Sequence, residues 1–350
     1  YGIGLDTKAK GKRTAGGKTV DFKLRCDELK DKIKDSSFKF IQIEKNEKNA
    51  PTTKTSTRKR HSEELFTFEQ IIGESALIQE AKRVALKVAK TSVPVLLHGE
   101  TGTGKEMFAQ AIHMASPRRQ GPFIAINCGA LPGELVESEL FGYEEGSFTG
   151  ALKGGKIGKI EAASGGTLFL DEVESMPLKD QIKLLRVLST RKVQKIGSTK
   201  ELMVDIRLIT ATKTDLLKLA DAGQFREDLF YRISTFIIEL PPLCKRKEDI
   251  FDLAQSFADR IAQKYGLGDI EMDEEFIRAL ESYSWRGNVR ELEHAIERAI
   301  IMLGENNKLC LEHLADKIQE SYKEQTVQKL VDQAIEKSSN KQGLLALAER

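Results

Sequence analysis

The sequence is short of cysteine, of long apolar runs and of net charge, and each shortage excludes something. Its four cysteines, Cys26, Cys128, Cys244 and Cys310, stand far apart with no metal-ligand spacing. That argues against a disulfide framework or a zinc site and fits the reduced cysteines of a cytoplasmic protein. No apolar stretch approaches the roughly 18 residues of a membrane span, and no signal peptide opens the chain, so no membrane partner is expected. Lys and Arg number 55 against 53 Asp and Glu, a net charge of +2 that by itself favours neither nucleic acid nor any other partner. What is present is enough apolar content, 40%, for one large core or two smaller ones. The chain starts at Tyr1 and stops at Arg350 inside a helical pattern, and so reads as a fragment.

Residues 1–62 are lysine-rich and weakly periodic, and read as an upstream remnant followed by a basic, polar linker. From 63 to 243 strands alternate with helices. The runs "VPVLLH" (93–98), "FIAIN" (123–127), "TLFLDE" (167–172) and "IRLITAT" (206–212) are short, apolar and end in polar residues. Helical patterns over 75–90 and 178–190 separate them. This alternation predicts an α/β fold, a parallel sheet covered by helices, with functional residues beyond the carboxyl ends of the strands. From 244 to 314 the pattern turns helical and predicts a smaller all-α domain. Ile250, Leu253, Ala254, Phe257 and Ile261 share one stripe, and the helix stops at Gly266. A further helix has Asn288 at its N-cap and Glu291 three residues on, a capping-box pattern.

"GETGTGKE" follows the strand 93–98 directly and precedes a helical run. This strand–loop–helix setting makes Gly99, Glu100, Thr101, Gly102, Thr103, Gly104, Lys105 and Glu106 a candidate phosphate-binding P-loop. Its glycines let backbone N–H groups converge on phosphate oxygens, and Lys105 supplies a point charge to the β- and γ-phosphates. Glu106 stands where Ser or Thr usually gives Mg²⁺ a hydroxyl, so the metal depends more on other ligands. Asp171, delivered at the end of the strand "TLFLD", is the candidate Mg²⁺ ligand, directly or through water. Glu172 is the candidate for orienting the water that attacks the γ-phosphate.

One stretch fits no buried element. "GYEEGSFTGALKGG" (142–155) sets Phe148 and Leu152 among glycines, which argues for a loop carrying an exposed aromatic in need of a partner. Together with "GETGTGKE", "GGTLFLDEVE", "FREDLFYRI" and "WRGNVRELEH", its "GSFTGA" resembles the AAA+ domain of bacterial enhancer-binding proteins, activators of sigma-54 RNA polymerase. The motifs occur in that family's order over roughly 66–314. The Lys–Glu ending of the P-loop is itself a mark of the family.

The resemblance implies an AAA+ P-loop NTPase with a helical lid, using ATP and Mg²⁺ and assembling a homo-oligomeric, hexameric ring. It implies that Gly146, Ser147, Phe148, Thr149, Gly150 and Ala151 form the loop that contacts sigma-54, with Ser147 in place of the usual Ala. Arg226 and Arg232 become fingers, one or both reaching a neighbouring subunit's site. Six residues apart on one helix they would lie about 240° apart, so both reach one site only if the helix ends between them. Arg290 becomes the lid's phosphate sensor, held in a helix first turn where the dipole disfavours a cation by about 0.3–1 kcal/mol. A surface pairing with Glu293 is the competing reading. Thr212 matches a polar residue near the γ-phosphate, with Lys213 where Asn is usual and Arg286 where Pro is usual. Asn127 matches an asparagine that pairs with the catalytic glutamate, against the plainer reading of a buried strand-end amide. Residues 315–350 resemble a linker and the start of a Fis-type helix-turn-helix, which in the full-length protein would bind enhancer DNA. The other readings are an AAA+ remodeller with another protein client, and a nucleotide-dependent scaffold without useful turnover.

Overall fold

Five short aliphatic runs assemble into one parallel sheet in the computed structural model, which describes residues 65–148, 150–304, 307–328 and 331–332. The strands are β1 (Val95–His98), β2 (Phe123–Asn127), β3 (Thr167–Asp171), β4 (Arg207–Thr212) and β5 (Phe236–Glu239). Their order across the sheet is β2-β3-β4-β1-β5. The central β3 and β4 are buried almost throughout, which is why they read as continuous apolar runs. The edge strand β5 has only Ile238 turned inward. Register aligns His98 with Thr212 and Asn127 with Asp171. The carboxyl ends of β1, β4 and β3 therefore lie side by side.

Helices α1 (Ala76–Ala89), α2 (Lys105–Met114), α3 (Gly133–Phe141), α4 (Leu178–Thr190) and α5 (Glu227–Ile233) cover the sheet. Ile78, Phe108 and Ile112 pack with Val95 and Leu97 in one core. Leu140, Leu184 and Leu229 pack with Leu168 and Leu170 in the other. Both faces of the sheet are thus dry, as parallel strands require.

The second, smaller body follows through α6 (Ile250–Tyr265), α7 (Glu274–Ser282) and α8 (Asn288–Ile301). The stripe from Ile250 to Ile261 is buried, and Gly266 ends α6 in the left-handed conformation. The body is not purely helical. Glu271–Met272 pairs in parallel with Lys308–Leu309. Its core also continues past 314, because Ile318 and Tyr322, on a helix over 316–328, pack into it. Residues 1–64 and nearly all of 329–350, including the expected start of a helix-turn-helix, lie outside the described residues.

Asp180, in the first turn of α4, is fully buried, and neither carboxylate oxygen has a hydrogen-bond partner among the described residues. Burial, and then the nearby Glu137 carboxylate, push its pKa up to about 6. A folded pKa above the unfolded value means that ionisation costs stability. The cost is complete above pH 6 and absent below about pH 4. Asp180→Asn should therefore raise Tm at pH 7.5, with the gain shrinking toward pH 5 and gone near pH 4. Thermal unfolding of both proteins across that range checks it.

Candidate functional site

The loop between β1 and α2 closes on itself through its own polar groups. Lys105 Nζ donates to the carbonyls of Gly99 (2.7 Å) and Glu100 (2.9 Å). The buried Thr103 hydroxyl donates to Glu100 O at 2.9 Å. Burial lowers the Lys105 pKa, opposed by the carboxylates of Asp171, Glu174 and Glu172. The Glu106 carboxylate turns away along its own helix, where it accepts from Gln110 Nε2. Its exposure and that direction relieve the repulsion a phosphate would otherwise meet. Lys105, Glu106, Asn127, Asp171, Glu172 and Arg290 line one cavity beside the loop, joined by Lys213.

Across that cavity, Asp171 Oδ2 accepts from Asn127 Nδ2 at 3.1 Å and Asp171 Oδ1 from the Glu172 backbone at 3.0 Å. The expected Asn127–Glu172 pair is thus replaced by an Asn127–Asp171 pair, because Asn127 stands directly opposite Asp171 in register. Glu172 leaves the strand in the left-handed conformation, φ 50°. Its carboxylate crosses over Gly129, where a Cβ would come within 2.3 Å of Oε2, and approaches Lys213 Nζ at 3.4 Å. Thr212 does not offer its hydroxyl to the cavity. It is buried and bonded to Thr214 O at 3.0 Å, while Lys213, just after β4, lines the cavity. Cys128, next in the chain after Asn127, is pushed up to about 12, first by burial and then by Asp171 and Glu174, so its thiol is inert here.

Among the described residues no group of three or more His, Cys, Asp or Glu gathers as a metal cage. One carboxylate beside a phosphate loop suits Mg²⁺, which keeps several waters and takes other ligands from substrate phosphates. Asp171 is the residue that fits this role.

The lid grips the loop directly. Asn288 does not cap α8. It is the helix's first residue, fully buried, with φ 53°. Its Nδ2 donates to Glu100 Oε2 and Thr101 O, both at 3.0 Å, and its Oδ1 accepts from Leu243 N at 2.7 Å. The cap belongs to Gly287, whose N–H donates to Glu291 Oε2 at 2.9 Å. Val289 N donates to Gly102 O at 3.0 Å. Gly102 itself has φ 80°, and a Cβ there would meet Gly287 O at 2.2 Å. Only glycine allows the lid backbone so near. Arg286, exposed, sits in this turn between two left-handed residues, Trp285 and Asn288, a geometry proline at 286 is not needed to hold.

Arg290 reaches the cavity from the first turn of α8, and Glu293, the surface partner of the competing reading, bonds to Arg260 instead at 2.7 Å. Arg226 and Arg232 do not line this cavity. Arg226 precedes α5 and holds the Asp228 carboxylate through Nε and Nη2, while Arg232 lies in its last turn and donates to Leu188 O at 2.9 Å. The helix does not end between them. On the other side of the loop, Ile71, Ile72, Met107, Phe108, Leu253 and Val289 line a largely apolar cleft reaching Gly104. No sequence motif had marked it, since its wall is drawn from four distant segments.

The glycine-flanked loop stands on a two-residue stem, Gly142–Tyr143 paired antiparallel with Lys156–Ile157, at the end of α3. Phe148 is 46% exposed, and its ring meets Tyr143 edge-on with centroids 5.0 Å apart. Leu152 is 63% exposed. Gly146 and Gly150 have φ of 77° and 96°. Ala151 N donates to Phe148 O. Ser147 Oγ lies 2.9 Å from Ile196 O, a contact Ala could not make. Thr149 lies outside the described residues. Asn127 links this region to the cavity: its Oδ1 accepts from Gly129 N and Ala130 N, in the turn that leads into α3.

Comparison with known proteins agrees with this geometry. Residues 71–239 match the sigma-54 interaction domain and residues 244–330 the AAA+ ATPase lid domain. The C4-dicarboxylate transport transcriptional regulatory protein DctD of Pseudomonas aeruginosa is 50% identical over 67% of this chain and 51% of its own length. A protein named limonene hydroxylase, from Geobacillus stearothermophilus, is 46% identical over 73% of this chain and 48% of its own length. The chain therefore spans about half the length of these curated relatives. The crystal structure of NtrX from Brucella abortus in complex with ATP is 34% identical, with a TM-score of 0.67 over 72% of this chain and 55% of that one. With an AAA+ P-loop NTPase body and its lid matched in succession, the chain belongs, over residues 71–330, to the family of sigma-54-dependent transcriptional activators.

Proposed function

We propose that this protein hydrolyses ATP and uses the cycle to move the 142–155 loop against sigma-54 RNA polymerase, opening promoters. The observation that carries the reading is the bonded route from cavity to loop: Asp171 to Asn127, Asn127 to the 129–130 turn, and α3 to the stem. A change at the phosphates that shifts Asp171 has a short, hydrogen-bonded path to Phe148.

In this mechanism the loop N–H groups, the start of α2 and Lys105 bind the β- and γ-phosphates. The apolar cleft beside Gly104 takes the flat base of the nucleotide. Bound Mg²⁺, held by Asp171, supplies charge neutralisation for the phosphate oxygens. Glu172 accepts a hydrogen bond from the attacking water and orients it. Arg290 senses the phosphates from the lid. Of Arg226 and Arg232, neither of which lines the chain's own cavity, one serves as the finger to the neighbouring subunit in a homo-oligomeric, hexameric ring, since no helix end between them lets both reach one site. Turnover per subunit then rises with protein concentration. Enhancer DNA, bound by a helix-turn-helix of the full-length protein, is the nucleic-acid partner in this reading, and the cytoplasm its place of action.

Thr149→Ala separates the motor from its tool. Phosphate release should continue at close to the wild-type rate while open-promoter formation with sigma-54 polymerase is lost. Parallel loss of phosphate release would remove the assignment of the loop, and retained promoter opening would do the same.

A further inference from the structure

A second polar cavity lies at the amino ends of the strands, across the sheet from the phosphate loop. Arg207 opens β4 and is 1% exposed, a cation held inside the protein. Its Nη1 and Nη2 donate to the carbonyls of Ala89 and Val88, at 2.8 and 2.9 Å, in the last turn of α1. That helix end offsets only part of the charge, roughly half a unit. Nε is buried and has no hydrogen-bond partner among the described residues. Burial, and then the Arg118 guanidinium, pull the Arg207 pKa down to about 10, so the two cations repel each other. Both line one open cavity of about 550 Å³, together with Thr91, Ser92, Ser116 and Gln120. The carboxylate that reaches this pair is Asp205, whose Oδ1 accepts from Arg118 Nη2 at 2.7 Å and whose side chain is 71% exposed. A pair so exposed is worth roughly 0–1 kcal/mol and is readily exchanged. The buried arginine is left short of negative charge, which is costly in a dry surrounding.

We propose that this cavity is a second anion site, separate from the phosphate loop, for a phosphate group that is free or carried on a small ester. Arg118 exchanges Asp205 for the ligand and presents its planar fork to two phosphate oxygens. Arg207 stays on α1 and supplies charge from behind, where the protein interior screens it little. Ser92 and Gln120, exposed at the rim, add neutral donors. A water takes about 30 Å³ of liquid, so the cavity has room for a phosphate and for a group attached to it.

The test uses the chain saturated with ADP, which occupies the phosphate loop, titrated with inorganic phosphate and with glycerol phosphate in a calorimeter. One further site should appear. Arg118→Gln should weaken it about tenfold, a difference on the order of 1.4 kcal/mol, while ADP affinity and the rate of phosphate release change less than about twofold. Asp205→Asn removes the competing carboxylate and should tighten the site about threefold, a gain that a damaged fold could not produce. Tighter binding of glycerol phosphate assigns the site to an ester and tighter binding of inorganic phosphate to the free ion; either supports it. Absence of any heat beyond that of ADP, equally tight binding of succinate, or affinity indifferent to both Arg118 and Asp205 overturns the proposal. Should wild-type protein bind no ADP, the ATPase reading falls, and the Arg118 and Asp205 variants still decide this site.

Discussion

Glu172→Gln should lower turnover on the order of 10²–10⁴-fold, the usual contribution of a positioned general base, while leaving nucleotide affinity nearly unchanged. The two effects separate because Glu172 makes no contact with the phosphate loop. Its carboxylate lies over Gly129 and near Lys213, and Lys105 is held by the carbonyls of Gly99 and Glu100 instead. Glutamine fits the same space and the same left-handed backbone, so folding is undisturbed. What is lost is a negative oxygen able to draw a proton from water. Phosphate release measured beside a nucleotide titration gives both numbers. Loss of binding together with turnover would mean that Glu172 builds the pocket and does not act on water.

Asn288→Ala should cost about 3 kcal/mol of stability, roughly one for each of the three buried hydrogen bonds the amide makes. Alanine also tolerates φ 53° less well than asparagine does. The loss reaches the site, because Glu100 and Thr101 are then no longer held by the lid, and nucleotide affinity should fall about tenfold. Asn288→Gly removes the amide while relieving the backbone, so it divides the two causes. If it recovers stability but not affinity, the amide is the coupling element. Urea unfolding paired with nucleotide titration of both variants reads this directly. Wild-type affinity in Asn288→Ala would mean that the lid merely rests on the loop.

What could be read from the sequence was what chemistry packs into contiguous residues. The phosphate loop, the Asp171–Glu172 step at the end of β3 and the glycine-flanked Phe148 each declare themselves within ten residues or so, as local motifs do. Asn288 was misread for the same reason. Its local pattern with Glu291 imitates a capping box, whereas its amide is used by Glu100 and Thr101 far away in the chain, and Gly287 takes the cap. Asn127 was assigned to Glu172 because motif order says nothing about register, and register sets it opposite Asp171. Thr212 drew attention as the polar residue, yet its hydroxyl is bonded to Thr214, and the next residue, Lys213, lines the cavity instead. The apolar cleft and the extension of the lid core to Ile318 arise from contacts between distant segments and leave no trace in any short window.

The most direct measurement is capture of purified sigma-54 by this chain in the presence of ADP and aluminium fluoride, which imitates the transferring phosphate, compared with ADP alone and with no nucleotide. A stable complex should form only with the mimic and disappear in Phe148→Ala, although that variant still binds nucleotide. Capture that is indifferent to nucleotide, or that survives the loss of the Phe148 ring, would contradict a loop driven from the phosphate cavity.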